Sequence, residues 1–329
     1  MKILILSHDE VVELLPMKEC VAVMRDALIA LAAGRIYQPL RTIVRPPEAA
    51  GLMGLMPSYR SGERSAFGLK AICVFPNNPA QGKDAHQGGV LLFSAETGEL
   101  QAMMNASAIT AIRTAAVSGV ATDVLARTDA SELAIIGTGV QARSHLAAMS
   151  QVRAINRCRI ASRHFAHAQA LAEEMKTKFA FPIEAVATVA EALEGADLIV
   201  TATTATEPIV KREWISKGAH LNLVGASTPN AREVDSATFA ASSVYVDRRE
   251  STMNEAGDYL FALRDGAIDV NHIRGEIGEV LQGGAPGRTT PDEITLFKSL
   301  GLAVEDLAAA EFVYRKAKEM KLGNWVEFG

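Results

Sequence analysis

The feature that most constrains the fold is the hexapeptide at residues 137–142 (GTGVQA), which follows the apolar run Glu132–Ile136 and opens a helical pattern over residues 141–152. A GxGxxA pattern between a strand and a helix is typical of the phosphate-binding turn of a dinucleotide fold. The first glycine permits a tight turn, the second lets a pyrophosphate approach the backbone, and the alanine lets helix and strand pack closely. The residues of this turn expected to bind the dinucleotide are Gly137, Thr138, Gly139, Val140 and Gln141.

The rhythm of the chain around this turn indicates a parallel sheet. Short apolar runs at residues 133–136, 158–161, 184–186, 197–201, 220–224 and 244–246 are interspersed with helical patterns at 141–152 and 166–179. Alternation of this kind is typical of strands joined by crossover helices. We therefore predict an α/β fold with a Rossmann-type, doubly wound parallel sheet over residues 121–302.

The end of the second strand indicates which dinucleotide is bound. The run at residues 158–161 continues into Ser162-Arg163-His164, without the Asp or Glu that binds the ribose 2′-hydroxyl of NAD. Arg163 can pair with a 2′-phosphate, and Ser162 and His164 can donate hydrogen bonds to it. The sequence thus predicts that NADP(H) is preferred and NAD(H) is possible. The alternatives for Arg163 are a solvated loop residue and a side chain stacked on adenine.

Two further strand ends face the same crevice if the sheet is doubly wound. The expected cofactor-binding residues there are Ala202, Thr203, Thr204, Val224, Gly225 and Ala226. Small and hydroxyl-bearing residues fit a ribose and a nicotinamide. For the threonines, ordinary turn chemistry is the alternative.

The flanking segments have a different texture. Residues 39–93 alternate short β-like runs with Pro, Gly and Asn turns, which predicts an antiparallel or mixed sheet. A helix rich in small residues is predicted over Ala106–Leu125, and an amphipathic helix over residues 302–320 after a loop at 290–299. We predict an α+β domain formed by residues 1–120 together with the C-terminal helix, residues 303–329.

Composition excludes several classes of function. The 329 residues include 33 Lys and Arg against 38 Asp and Glu, and no long run of one sign favours nucleic acid or an anionic membrane. The three cysteines are widely spaced with no CxxC, which argues against a disulfide scaffold and a zinc finger. No cluster has metal-ligand spacing, so no metal is expected. The apolar N-terminus is too short for a signal peptide and no run approaches the length of a membrane span, so we expect a soluble, cytoplasmic protein.

Several stretches resemble the ornithine cyclodeaminase/μ-crystallin family, and most closely its μ-crystallin (ketimine reductase) branch. They lie at residues 56–59 (MPSY), 68–70 (GLK), 86–93 (HQGGVLLF), 109–116 (ITAIRTAA), 137–142, 205–209 (ATEPI), 218–222 (GAHLN), 225–227 (GAS) with Pro229 and Arg232-Glu233, and 297–306 (FKSLGLAVED). The resemblance spans nearly the whole chain in order. It implies a homodimer whose substrate-binding and dimerisation domain combines the N-terminal part with the C-terminal helix.

The resemblance also implies a set of substrate-site residues. Arg41, Lys70 and Arg113 fall where the family has its basic substrate-binding residues, and they are our expected catalytic residues. An Arg fork grips a carboxylate, and a buried Lys with a lowered pKa can donate a proton. Expected beside them are Met56 and His86 for substrate, and Thr114 and Ser299 for cofactor. His86 is either a proton donor or a hydrogen-bonded turn residue. The acids Glu305 and Asp306 are expected to be structural, because they open a helix.

One departure from the family pattern bears on the reaction. Cyclodeaminases of the family carry an Asp in the loop where this chain has Ser227. A serine cannot act as a carboxylate base, so Ser227 is expected to bind substrate without supporting ring-forming deamination. This favours hydride transfer to a preformed imine.

The expected function is NAD(P)H-dependent reduction of cyclic 2-imino acids, such as Δ1-piperideine-2-carboxylate or Δ1-pyrroline-2-carboxylate, to L-amino acids. The alternatives within the family are an amino-acid dehydrogenase, an acyclic imino-acid reductase of alanine or iminosuccinate type, and an ornithine cyclodeaminase. The non-enzymatic alternative is an NADPH-binding, crystallin-like protein.

Overall fold

A computed structural model describes residues 1–329 and divides them into two compact units. Unit 1 comprises residues 1–114 and 301–329, and unit 2 comprises residues 115–300. The chain thus leaves unit 1 after Thr114 and returns to it at Gly301. The sequence analysis predicts these two domain boundaries after residues 120 and 302.

Strands and helices occupy most of the chain. The strands are β1 (Lys2–Leu6), β2 (Ile36–Tyr37), β3 (Thr42–Val44), β4 (Leu52–Arg60), β5 (Ala66–Val74), β6 (His86–Ser94), β7 (Leu100–Asn105), β8 (Glu132–Ile136), β9 (Arg157–Ala161), β10 (Ile183–Ala185), β11 (Leu198–Thr201), β12 (His220–Leu223), β13 (Ser243–Val246), β14 (Ile273–Glu276), β15 (Thr295–Lys298) and β16 (Asn324–Glu327). The helices are α1 (His8–Leu14), α2 (Met17–Ala32), α3 (Ala106–Leu125), α4 (Val140–Val152), α5 (Phe165–Lys176), α6 (Val189–Leu193), α7 (Ser236–Ala240), α8 (Arg249–Glu255), α9 (Gly257–Arg264), α10 (Ile277–Leu281) and α11 (Ala303–Met320).

Unit 1 is built on a mixed sheet in the order β16-β1-β7-β6-β5-β4-β2, with β3 also paired to β4. Strands β4 to β7 form an antiparallel meander, and β1 adds to β7 in parallel. One face of the sheet packs against α11, and alternate side chains such as Met56 and Val90 are buried there. Because side chains alternate across a strand, Lys70 of β5 points to this buried face, between Gly68 and Ile72.

The opposite face of the unit 1 sheet carries apolar side chains toward solvent. Met53, Phe67 and Met103 are 42%, 47% and 40% exposed, respectively. Leu55, Leu69 and Leu91 are half-buried on the same face. We call these six residues the outer apolar face.

Unit 2 is the predicted doubly wound sheet. Its eight strands are all parallel, in the order β10-β9-β8-β11-β12-β15-β13-β14. The order reverses between β8 and β11, and in such sheets ligands bind at the carboxyl ends of the strands beside this switch point. This confirms the predicted fold class.

The loop predicted at residues 290–299 is wrong in its second half. Thr295–Lys298 forms β15, a fully buried strand that pairs with both β12 and β13. The strand has only two apolar residues and ends in Lys298, whose side chain is also buried. A four-residue run of this composition gives no periodicity from which a central strand can be predicted.

The expectation that no stretch is long and apolar enough to cross a membrane is also wrong. The 20-residue helix α3 meets both conditions by length and composition. However, 78% of its most apolar window is buried inside the structure. It is a core helix by placement, and its many small residues allow the close packing around it.

Candidate active site

The glycine-rich turn has the geometry that a pyrophosphate requires. Gly137 has φ +121°, and a Cβ there would lie 2.4 Å from the carbonyl oxygen of Ala202. Gly139 is the N-cap of α4, and no atom lies within 4 Å of the position of an added Cβ. Ala142 is fully buried against the strand. The backbone at Gly139 is thus open to a ligand, while the turn itself is fixed by glycine at residue 137.

The other residues of the turn lie around this opening. Thr138 is half-buried, Val140 is exposed and Gln141 is half-buried in the first turn of α4. The Thr138 carbonyl accepts a hydrogen bond from Nη1 of Arg143 at 2.8 Å. No acidic side chain occurs in the first turn of α4, so the positive end of the helix dipole is left for an anionic ligand.

The segment after β9 presents a free cation. Ser162 Oγ donates a hydrogen bond to the carbonyl oxygen of His164 at 2.7 Å, which holds the loop, and His164 is the N-cap of α5. Arg163 is exposed and makes no hydrogen bond or ion pair. Its guanidinium therefore remains available for an anion at the end of the second strand.

The segments after β11 and β12 are fixed by a buried carboxylate. Gly225 N and Thr203 N each donate to the carboxylate of Glu233 at 2.8 Å. The Thr203 hydroxyl also donates to Glu233, at 2.8 Å, so it is engaged within the protein. Of the remaining predicted cofactor residues, Thr204 is exposed, Ala202 and Val224 are half-buried, and Ala226, Ser299 and Thr114 are buried.

Unit 1 contains a buried ion cluster, formed by Lys70, Arg113, Glu305 and Asp306. Lys70 Nζ lies 2.8 Å from Asp306 Oδ2. Arg113 donates from Nε to Asp306 Oδ1 at 2.9 Å and from Nη1 to Glu305 Oε2 at 2.5 Å. All four residues are at most 3% exposed. Charges buried to this extent need such partners, because burial of an unpaired charge is very costly.

Arg41 reaches the same segment of chain. Its Nη2 donates to the carbonyl oxygen of Gly301 at 3.1 Å. Gly301 has φ +78°, and a Cβ there would lie 2.4 Å from Arg113 Nη1. Glycine is therefore required at residue 301, both by its backbone conformation and by the guanidinium packed against it.

The environment of the cluster shifts the pKa of its basic groups. Burial, followed by the charge of Arg113, lowers the pKa of Lys70 to about 8, although Asp306 opposes the shift. For Arg113, burial favours the neutral form, but the carboxylates of Asp306 and Glu305 prevail and raise its pKa. The imidazole of His86 has its pKa lowered, first by desolvation and then by Lys70 and Arg113.

Glu305 and Asp306 lie in the first turn of α11, as predicted. The structure adds a second role, since their carboxylates are the partners of Lys70 and Arg113. A usable signal was present, since two acids stand between Val304 and Leu307 in an otherwise apolar turn. Acids on the buried side of a helix need cations nearby.

The remaining predicted substrate residues fall in both units. Met56 is buried in β4 and lies directly opposite Lys70 in the β4–β5 register. His86 begins β6 and is exposed. Ser227 is exposed in unit 2, shortly after β12. Unit 1 therefore brings together Arg41, Met56, Lys70 and Arg113, and unit 2 carries Ser227.

The fold and these two sets of residues define a dinucleotide-binding α/β protein with a buried ion cluster in unit 1. Residues 1–321 match the model of the ornithine cyclodeaminase/mu-crystallin family. The chain belongs to this family.

Similar proteins have related activities. The chain is 38% identical over 326 residues to a Δ1-pyrroline-2-carboxylate reductase of Bacillus cereus, covering 99% of this chain and 100% of that protein. It is 39% identical over 281 residues to the ketimine reductase mu-crystallin of Mus musculus, covering 85% of each. The structure of Thermococcus litoralis Δ1-pyrroline-2-carboxylate reductase with NADH and L-proline superposes with a TM-score of 0.95, at 40% identity and covering 98% of this chain and 99% of that one.

Proposed function

We propose that this protein is an imine reductase that transfers hydride from a nicotinamide cofactor to the C=N carbon of a cyclic 2-imino acid, giving the L-amino acid. The observation that carries the proposal is the buried ion cluster, which holds two basic groups beside Arg41 in a chain that also has a dinucleotide turn. The similarity to reductases of pyrroline-2-carboxylate and ketimines supports the same reaction.

The arginines supply the carboxylate-binding groups. Arg113 uses Nε and one hydrogen of Nη1 for Asp306 and Glu305. Nη2 makes no hydrogen bond within the protein, so it can donate to a substrate carboxylate. Arg41 adds a second guanidinium. Three cations against two carboxylates give a net charge of +1, which one substrate carboxylate neutralises.

Lys70 supplies the proton. Hydride adds to the imine carbon, and the nitrogen of a neutral imine gains a proton as the C=N double bond becomes a CH–NH single bond. Lys70 Nζ donates one hydrogen to Asp306 and has two more for the substrate. A lysine with a pKa of about 8 is protonated at neutral pH and releases its proton readily, as a general acid should. Solvent then restores the proton.

Ser227 indicates which reaction of the family is catalysed, and the segment after β9 indicates which cofactor is used. With Ser227 in the loop, ring-forming deamination lacks a carboxylate base, and net reduction is the supported outcome. Arg163 is exposed and unpaired where the 2′-phosphate of NADP(H) would lie, and Ser162 and His164 flank it. NADPH is thus the preferred donor, and NADH is also accepted.

The outer apolar face supports a homodimer. Six apolar side chains on adjacent strands of one sheet make a contiguous patch, which monomeric proteins seldom expose. A second copy of the same face would cover it through a symmetric contact.

The function is tested by following NADPH absorbance with a panel of substrates. Rapid oxidation is expected with Δ1-piperideine-2-carboxylate and Δ1-pyrroline-2-carboxylate, because each offers a carboxylate beside a C=N carbon. Pyruvate or oxaloacetate with ammonia should be much slower. Turnover with an oxo acid plus ammonia but not with the cyclic imines would instead indicate an acyclic dehydrogenase or imino-acid reductase. Cofactor binding without turnover of any substrate would indicate a binding protein.

The pH dependence of kcat tests Lys70 as the proton donor. The active form is the protonated one, so the rate is expected to be level at low pH and to fall about tenfold per pH unit above an apparent pKa near 8. Lys70→Arg should lower kcat by roughly 10²–10⁴-fold and abolish the alkaline limb, since arginine keeps its proton.

Asp306→Asn provides the second arm of this test. The charge of Asp306 holds the pKa of Lys70 up, so its removal should move the limb to lower pH. An unchanged limb in both variants would show that another group donates the proton.

Cofactor selectivity is tested with Arg163→Ala. A charge-assisted hydrogen bond contributes about 2 kcal/mol, so KM for NADPH should rise roughly 30-fold. KM for NADH should change less than about twofold, because NADH lacks the 2′-phosphate. An equal change for both cofactors would contradict a role at the phosphate.

The dimer is tested with Leu69→Asp, which places a carboxylate in the outer apolar face. Sedimentation is expected to give a dimer for the unaltered protein and a monomer for the variant, because a charge at a buried apolar contact is costly. Val12→Asp is the matched control: Val12 is 47% exposed on α1 and should leave the dimer intact. A monomeric unaltered protein would refute the proposal.

A further inference from the structure

Unit 2 contains a second buried set of charges, distinct from the residues that the proposed function uses. Glu233 and Lys298 are fully buried, and Asp258 is 2% exposed. The sequence analysis predicts ligand-binding residues at strand ends. Of these three residues, only Lys298 lies at such a position, as the last residue of β15. The resemblance to the family covers Glu233, but nothing in the sequence indicates its role.

The carboxylate of Glu233 accepts four hydrogen bonds. Its Oε2 accepts from Thr201 Oγ1 at 2.7 Å and from Gly225 N at 2.8 Å. Its Oε1 accepts from Thr203 N and from Thr203 Oγ1, both at 2.8 Å. One side chain therefore ties together the segments that follow β11 and β12.

These contacts require that both terminal atoms of the side chain at residue 233 act as hydrogen-bond acceptors. A backbone N–H can only donate. The N–H of Thr203 donates to Oε1 of Glu233, and the N–H of Gly225 donates to Oε2. A carboxylate satisfies both, whereas an amide would turn an NH₂ group toward one of the two N–H groups. Gly225 is also packed too closely for a side chain, since a Cβ would lie 2.1 Å from the Thr203 carbonyl oxygen.

Asp258 and Lys298 close the arrangement into a ring. Asp258 Oδ1 accepts from the backbone N of Glu233 at 2.8 Å. Lys298 Nζ lies 2.9 Å from Asp258 Oδ2 and donates to the carbonyl oxygen of Ala226 at 2.6 Å. The ring begins at the Glu233 carboxylate on Gly225 and returns, through Asp258 and Lys298, to the adjacent residue Ala226.

We propose that Glu233 is a positioning residue for the nicotinamide half of the cofactor. It holds the backbone after β11 and β12 in one conformation, with Asp258 and Lys298 as its support. The inference rests on the proposed function, because it assumes that a nicotinamide cofactor binds at these strand ends. The adenosine half lies on the other side of the switch point, at the turn after β8 and the segment after β9.

This division of the cofactor gives a readout that a general structural role would not produce. Loosening the segments after β11 and β12 should weaken NADPH binding. It should leave 2′,5′-ADP binding unchanged, because that ligand carries only the adenosine half. A general loss of structure in unit 2 would weaken both ligands together.

The test measures dissociation constants of the full-length protein for NADPH, by cofactor fluorescence, and for 2′,5′-ADP, by calorimetry. Glu233→Gln is expected to raise the constant for NADPH at least about tenfold and that for 2′,5′-ADP less than about twofold. Thr201→Val removes one hydroxyl donor at nearly constant volume, so it should act in the same direction by about threefold. Glu213→Gln, at an exposed acid of the same unit that precedes β12, is the matched control and should change neither.

The outcomes separate the two proposals. If the unaltered protein binds neither NADPH nor NADH, the proposed function fails. If it binds NADPH and Glu233→Gln binds it equally well, or loses both ligands equally, the positioning role is refuted. Should Glu233→Gln not fold, Thr201→Val decides: unchanged NADPH binding overturns the inference, and a selective loss supports it.

Discussion

The pairing of buried charges in unit 1 is the constraint on which the rest of that unit depends. Lys70 and Arg113 cannot be buried as cations unless acids meet them, and Glu305 and Asp306 do so from the other end of the sequence. Removing one partner of a buried pair typically costs about 3–5 kcal/mol. The C-terminal helix is therefore bound to unit 1 by electrostatics as well as by apolar packing.

The same requirement explains the local chemistry of the cluster. Asp306 contacts both cations and so fixes Lys70 and Arg113 relative to each other. Burial favours release of a proton from Lys70, while Asp306 prevents the pKa from falling further. In the proposed reaction, Arg113 and Arg41 bind the substrate carboxylate and Lys70 gives up a proton. In unit 2, Glu233 uses a buried carboxylate for a different purpose, since its partners are neutral backbone and hydroxyl groups.

Local patterns predict much of the fold. The predicted bounds of α3, Ala106–Leu125, are those of the structure. The turn after β8 has the predicted strand and helix on either side. These features depend on residues close in sequence, whose spacing is visible without the fold. The strand β15 was missed, because its burial depends on β12 and β13, which pair with it from distant parts of the chain.

The doubly wound sheet and the dinucleotide turn follow from the sequence, because hydrophobic periodicity and glycine positions are local properties. The family follows from the stretches that resemble it, which run in order along nearly the whole chain. The roles of the acids depend on the fold: Glu305 and Asp306 face Lys70 and Arg113, and Glu233 ties two strand ends together. A charged residue looks alike in sequence on a surface and in a core. Its role is set by which partners the fold brings within hydrogen-bonding distance.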